Sequence, residues 1–232
     1  MENLEEWGPE GIENNGNRFS PNGISGKQKP KDWTGDYNSV YKTLGASSHT
    51  ADEREENDYY ATSPKAVELL LEQETFASNI WECASGEDHI ANVLRAHGHD
   101  VWSTDIIDRT GHTQVLDFLT ANVKWDDDII TNPPYKYAQE FVEHALDSIE
   151  PGKKVAMYLK LQFLEGKNRQ RLYKQRNLKT VYVLTNRLGC AKNGNFKNKE
   201  EQTAGGAVAF AWFVWEKGYV GDPVIKWITA KK

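Results

Sequence analysis

Cysteine is nearly absent: the 232 residues hold two, Cys83 and Cys190, far apart in the chain. With no Cys-x-x-Cys pair and no Cys/His cluster, no zinc site and no other metal is expected. Two reduced thiols in an intracellular, cytoplasmic protein are the simplest reading. Long apolar runs are missing as well. No apolar N-terminal h-region marks a signal peptide. The longest apolar stretch, Ala207 to Trp215, has half the length a membrane helix needs. It reads as a buried strand, and no membrane partner is expected. There is no Gly-x-Ser-x-Gly elbow, so a serine hydrolase has little support, and no internal repeat. Excess positive charge is lacking too. The net charge of −6 argues against a globally basic nucleic-acid binder but leaves room for a local basic face.

The length suits one α/β domain with a tail. Residues 1–57 are polar and rich in Gly, Asn, Ser and charge, with no sustained period, and read as a largely disordered arm. Its aromatics, among them Trp7, Phe19 and Trp33, suit anchoring on the domain or contact with a partner. The folded unit is expected over 58–232. Pro64 to Gln73 has helical spacing, with Ser63 as N-cap and Pro64 at the first helical position. Short strands are expected at 79–83, 100–105, 127–131, 154–160, 179–184, 208–215 and 224–227, with helices over 90–97, 138–149 and 168–176. Alternation of strand and helix predicts a mostly parallel sheet covered on both faces. The last strands follow one another without a helix, which predicts an antiparallel edge.

The most informative residues are Asn132-Pro133-Pro134-Tyr135, directly after an apolar strand. Two successive prolines forbid a helix and donate no N–H, so the chain leaves the strand as a stiff, extended loop. Such a loop can present the Asn132 amide oxygen beside the Pro133 carbonyl, two acceptors suited to a planar exocyclic amino group. Tyr135 adds a face on which a base can stack. Upstream, Glu82-Cys83-Ala84-Ser85-Gly86-Glu87-Asp88-His89-Ile90 is a glycine loop between strand and helix, where a ligand approaches backbone and helix N-terminus. The next strand ends in Asp105, followed by Ile106. An acid there is placed to accept both ribose hydroxyls of a nucleoside. Asp117 and Phe118 suit the bracketing of an adenine ring. The segment containing Tyr60, Thr62 and Pro64 either packs over the far end of a cofactor or caps the first helix.

In this order the segments resemble those of the class I S-adenosylmethionine-dependent DNA methyltransferases acting on adenine N6, the small phage type in particular. The resemblance covers roughly residues 58–228. It implies a Rossmann-like fold with a mostly parallel seven-stranded sheet, helices on both faces and an antiparallel C-terminal hairpin. It further implies S-adenosylmethionine as cofactor, held by Tyr60, Thr62, Pro64, Glu82, Cys83, Ala84, Gly86, His89, Asp105, Ile106, Asp117, Phe118 and Asn132. Catalysis would fall to Asn132, Pro133, Pro134 and Tyr135, on an adenine flipped out of double-stranded DNA. Asn-Pro-Pro-Tyr does not separate adenine in DNA from adenine in RNA or a protein glutamine. One residue departs from the family: Asp88 stands where a second glycine is usual. An acid there costs more than glycine if the backbone is left-handed, and it repels a ligand carboxylate. A binding module with a decayed cofactor site is therefore a second reading.

Charge is segregated. From Lys160 to Lys199 there are 11 basic residues against a single acid, Glu165, so the rest of the chain is strongly acidic. The stretch reads as a phosphate-facing surface with salt-dependent binding. Lys160, Arg187 and Lys197 are its candidate substrate contacts, with Tyr135 and Phe196. Phe196 lies in the polar connection 187–206, where it stacks the flipped base by the family resemblance or serves as a loop anchor.

Overall fold

Apolar, β-branched and aromatic runs form the sheet, and it is these runs that bury. The computed structural model describes residues 60–174, 177–186, 188, 190–192 and 208–230. The expected arm, Arg187, Phe196 and Lys197 lie outside the described residues.

The chain runs β1 (Tyr60–Thr62), α1 (Pro64–Leu71), β2 (Asn79–Glu82), α2 (His89–Ala96), β3 (Asp100–Asp105), β4 (Gln114–Val115), β5 (Asp128–Thr131), α3 (Ala138–Ser148), β6 (Lys154–Lys160), α4 (Gln170–Lys174), β7 (Leu178–Leu184), β8 (Cys190–Lys192), β9 (Phe210–Glu216) and β10 (Val224–Ile228). The main sheet has the order β10-β7-β9-β6-β5-β2-β3-β4, and β1 pairs antiparallel with β8 in a separate ribbon. Pairing is parallel from β4 through β6, and β9 lies antiparallel between β6 and β7. The order reverses between β2 and β5, the kind of switch point where α/β sheets open a crevice at their carboxyl ends.

The sheet has eight strands, one more than expected. The added strand is the two-residue β4, parallel to β3 at one edge; β10, expected at 224–227, pairs parallel with β7 at the other. The antiparallel strand is thus interior, and both edges are parallel to their neighbours. Strand β9 is as apolar as a doubly covered strand must be: Ala211 to Trp215 are all fully buried.

Two apolar clusters flank the sheet. One gathers Trp81, Phe118, Phe141, Val142, Phe213 and Trp215; the other gathers Leu70, Ile90, Leu94, Tyr158, Tyr182 and Trp212. Trp81 stacks on Trp102 at 4.6 Å and meets Phe118 edge-on at 5.1 Å. Helix α1 begins at Ser63 and Pro64 as expected, but the Ser63 side chain makes no capping bond; its carbonyl accepts from Ala66 N instead.

The strand starts, opposite the crevice, carry an ionic network. Lys154 donates to Glu74, Lys153 to Asp127 and Lys179 to Glu216. Lys179, counted within the basic segment, is therefore at the far end of the sheet from Asn132, tied to the end of β9. The Tyr182 hydroxyl donates to Glu74 Oε1 at 2.6 Å. Burial would raise the Glu74 carboxyl, but hydrogen bonds from Lys154 and Tyr182 hold it below its ordinary value. A carboxyl lowered in the folded state stabilises above its unfolded pKa, and that stability is lost as pH falls through the folded value. Tyr182→Phe is expected to cost about 1 kcal/mol at neutral pH. Urea midpoints of the two proteins check this, and the difference should shrink in acid once Glu74 is protonated.

Candidate active site

Four strand ends and two loops converge on a cavity of about 640 Å³. Strand β1 contributes Thr62. The end of β2 and its loop contribute Glu82, Cys83, Ala84 and, opening α2, His89. Asp105 and Ile106 come from the end of β3, Asp117 and Phe118 from the segment before β5, and Asn132 and Pro134 from the loop after β5. These are the crevice positions expected of a sheet with its switch between β2 and β5.

The glycine loop is built around the acid at the tip of β3. Asp105 Oδ2 accepts from Gly86 N at 2.9 Å, and Oδ1 accepts from Ile107 N at 3.0 Å and Arg109 at 3.3 Å. Gly86 is left-handed, with φ of 56°, and this conformation turns its N–H toward that carboxylate. Gly86 thus shapes the loop and is not among the cavity-lining residues. Asp88 is left-handed too, φ 61° and ψ 26°, so the position where glycine was expected does demand a positive φ. Its carboxylate is engaged: Oδ2 accepts from Arg95 at 3.0 Å.

Three buried polar atoms of the cavity wall are left for a ligand to meet. Thr62 Oγ1, Glu82 Oε2 and Ser85 Oγ are buried without a hydrogen-bond partner, and all three residues line the cavity. Glu82 is 1% exposed. Burial pushes its carboxyl well above the usual range, and the neighbouring Asp88 and Asp105 push the same way; the Ala91 N–H and Arg95 oppose. A ligand cation at Glu82 would relieve this strain. Burial likewise raises the Cys83 thiol, so it stays protonated and unreactive. His89, half-buried, is lowered by burial and stays neutral.

Beyond Asn132 the expected extended loop is shorter than the sequence implies. Pro134 is extended (ψ 118°), and Tyr135–Tyr137 already form a 3₁₀ turn into α3. The turn swings Tyr135 away from the large cavity. Tyr135 lines a second cavity of about 370 Å³, with Leu159, Lys160, Gln162, Glu165 and Arg169. Lys160 Nζ sits 4.8 Å over the Tyr135 ring, and Phe210 packs 5.8 Å from it. The Asn-Pro-Pro-Tyr segment therefore divides two chambers: Asn132 and Pro134 face one, Tyr135 the other. Pro133 and Pro64 line neither, Pro64 opening α1. Of Tyr60 the structure describes the backbone alone, paired with Lys192. Arg171 of the basic segment is tied to Glu143 on α3, so Lys160 and Arg169 are its described cations that line the second chamber.

Sequence reasoning did not pick out Arg109, Lys136, Tyr137 and Phe141, which line the large cavity. Spacing carried a signal for Arg109 and Phe141. Arg109 lies four residues beyond Asp105, as a counter-ion would, and Phe141 lies one helical turn beyond Tyr137. Among the described residues no group of His, Cys, Asp and Glu is arranged to hold a metal, and no helix is long and apolar enough to cross a membrane.

Among solved structures, a Listeria monocytogenes protein described as a class I S-adenosylmethionine-dependent methyltransferase superposes with a TM-score of 0.52 at 13% identity, covering 78% of this chain and 69% of that one. The fold is that of the class I methyltransferases. The M protein of the type I restriction enzyme EcoKI aligns with a TM-score of 0.48 at 13% identity, over 71% of this chain and 45% of its own length. This chain thus spans less than half of that protein. A Pyrococcus horikoshii protein described as an RNA methyltransferase aligns with a TM-score of 0.47 at 13% identity, over 77% of this chain and 98% of that one. No family model matches the sequence, and no curated protein matches it.

Proposed function

We propose that the protein transfers a methyl group from S-adenosylmethionine to the exocyclic N6 amino group of adenine in double-stranded DNA. One observation carries the reading: Asn132 and Pro134 line the same cavity as Glu82 and Asp105, while Tyr135 lines an adjoining chamber with Lys160. A cofactor chamber and a base chamber would thus share the Asn-Pro-Pro-Tyr wall.

The residues fit the cofactor chemically. Glu82 offers an unpaired carboxyl oxygen to an ammonium group. Asp105, which already accepts from Gly86 on Oδ2 and from Ile107 and Arg109 on Oδ1, keeps acceptor capacity on Oδ2 for a ribose hydroxyl. Phe118 and Ile106 supply apolar walls for a purine, with Asp117 to accept from its amino group. Bound there, the cofactor supplies an electrophilic methyl group on a sulfonium. The protein's part is positioning. In this reading the Asn132 amide oxygen and the Pro133 carbonyl accept from the target amino group and aim its lone pair, and Tyr135 stacks the base. Charge developing on that nitrogen is stabilised by the same two acceptors, so no strong base is required. Lys160 and Arg169 then serve the backbone phosphates beside the flipped base.

The alternative of a decayed binding module rested on Asp88. Its ion pair with Arg95 offsets the charge that motivated that reading. The decisive experiment incubates the full chain with S-adenosylmethionine and unmethylated duplex DNA, with RNA in parallel, followed by nucleoside digestion and mass spectrometry. N6-methyldeoxyadenosine is the expected product. Label in RNA alone would move the substrate while keeping the chemistry. No product on either, with no cofactor binding by calorimetry, would overturn the reading.

A further inference from the structure

The departure at position 88 has a built-in counterpart. Helix α2 starts directly after Asp88, and Arg95 lies two turns on, so the same helix face returns over the loop. Arg95 Nη1 donates to Asp88 Oδ2 at 3.0 Å, and Nη2 donates to the Ser103 hydroxyl on β3 at 2.7 Å. The Asp88 side chain is 11% exposed and that of Arg95 40%. Asp88 Oδ1 is buried with no hydrogen-bond partner. Removing Arg95 would therefore strand a nearly buried carboxylate close to the Glu82 carboxyl, which lines the large cavity.

We infer that Arg95 is a positioning residue for cofactor binding: it is the counter-charge that lets an acid occupy the left-handed turn of the glycine loop. The inference rests on the S-adenosylmethionine reading of the cavity, which it deepens. Asp is among the side chains that visit the left-handed region at lower cost, and here its carboxylate is held by Arg95 and makes no cap bond to the helix. Its charge is tolerable only while the guanidinium covers it. Arg95 does not itself line the cavity and acts through Asp88.

A cycle of four full-length proteins tests this: unsubstituted, Arg95→Met, Asp88→Asn and the double variant. Each is measured for S-adenosylmethionine affinity by calorimetry and for melting temperature without ligand. Arg95→Met keeps the aliphatic stem and removes the charge. It is expected to weaken binding about tenfold and to lower the melting temperature. Asp88→Asn removes the stranded charge while keeping a side chain that tolerates positive φ, so adding it should restore most of the lost affinity and melting temperature. A double variant as weak as Arg95→Met would overturn the inference, because Arg95 would then act only as a staple to Ser103. So would an Arg95→Met protein that binds and melts like the parent. If the parent binds no S-adenosylmethionine, the cofactor reading fails, and the melting cycle still reports whether Arg95 offsets Asp88: recovery in the double variant supports the charge pairing, and lack of recovery overturns it.

Discussion

Asn132→Ala is expected to lower methyl transfer by about 10³-fold, while S-adenosylmethionine affinity changes by no more than about twofold. The expectation follows from where the residue sits. Strand β5 is buried along its whole length, Asp128 to Thr131, so the residue after it is delivered to the crevice from a rigid element. Asn132 then meets the cavity together with Pro134, at the end of the strand paired with the one that leads into the glycine loop. Alanine at this position leaves the proline pair to hold the backbone, so the chamber should keep its shape. What disappears is one of two acceptors that orient the target amino group, an interaction strongest as positive charge builds on nitrogen. Single-turnover rates with saturating cofactor, beside calorimetric affinities, separate the two effects. A parallel loss of rate and affinity would assign Asn132 to cofactor binding and refute the catalytic role.

Glu82→Gln is expected to move stability and binding in opposite directions. In the ligand-free protein the Glu82 carboxyl lies well above its ordinary value, by burial first and then by Asp88 and Asp105. An acid raised in the folded state contributes stability that is full below its unfolded pKa and fades as pH rises through the folded value. At neutral pH the native protein therefore bears the strain of this buried group. Glutamine fills the same space, never ionises, and should raise the neutral-pH melting temperature by roughly 2–4 °C. The cofactor's cationic amino group would lose its carboxylate, and affinity should fall about tenfold or more. A proton readout accompanies this. Cation binding at a protonated Glu82 expels its proton, so affinity of the parent rises with pH, and the binding heat depends on the buffer's ionisation enthalpy. Neither dependence should survive in Glu82→Gln. A variant that loses stability and retains affinity would show that Glu82 is a structural acid.

Much of the site was legible because its residues fall at fixed points of a βαβ repeat. The end of one strand, the glycine loop and the acid ending the next strand can be read in order, and the fold brings Glu82, His89, Asp105 and Asn132 to one cavity because parallel strands put all their carboxyl ends on one side. Asp88 shows the same: the glycine usual at this loop position raised the case of a positive φ, and the backbone adopts it. Lys179 shows where this reasoning stops. A run of basic residues has no direction in sequence, yet Lys179 opens β7 while Lys160 closes β6, and the two lie at opposite ends of the sheet.

By itself the sequence determined the alternation of strand and helix, the apolar character of β9 and the chemistry of the two loops, because these depend on local period, turn chemistry and residue type. Only the tertiary structure decided that β9 runs between β6 and β7, that β10 adds a parallel edge, and that a 3₁₀ turn carries Tyr135 into a second chamber with Lys160. It alone paired Asp88 with Arg95 and left one carboxyl oxygen of Glu82, Oε2, without a partner. Such facts depend on which long-range neighbours exclude water from a group, and local sequence period carries no information about that.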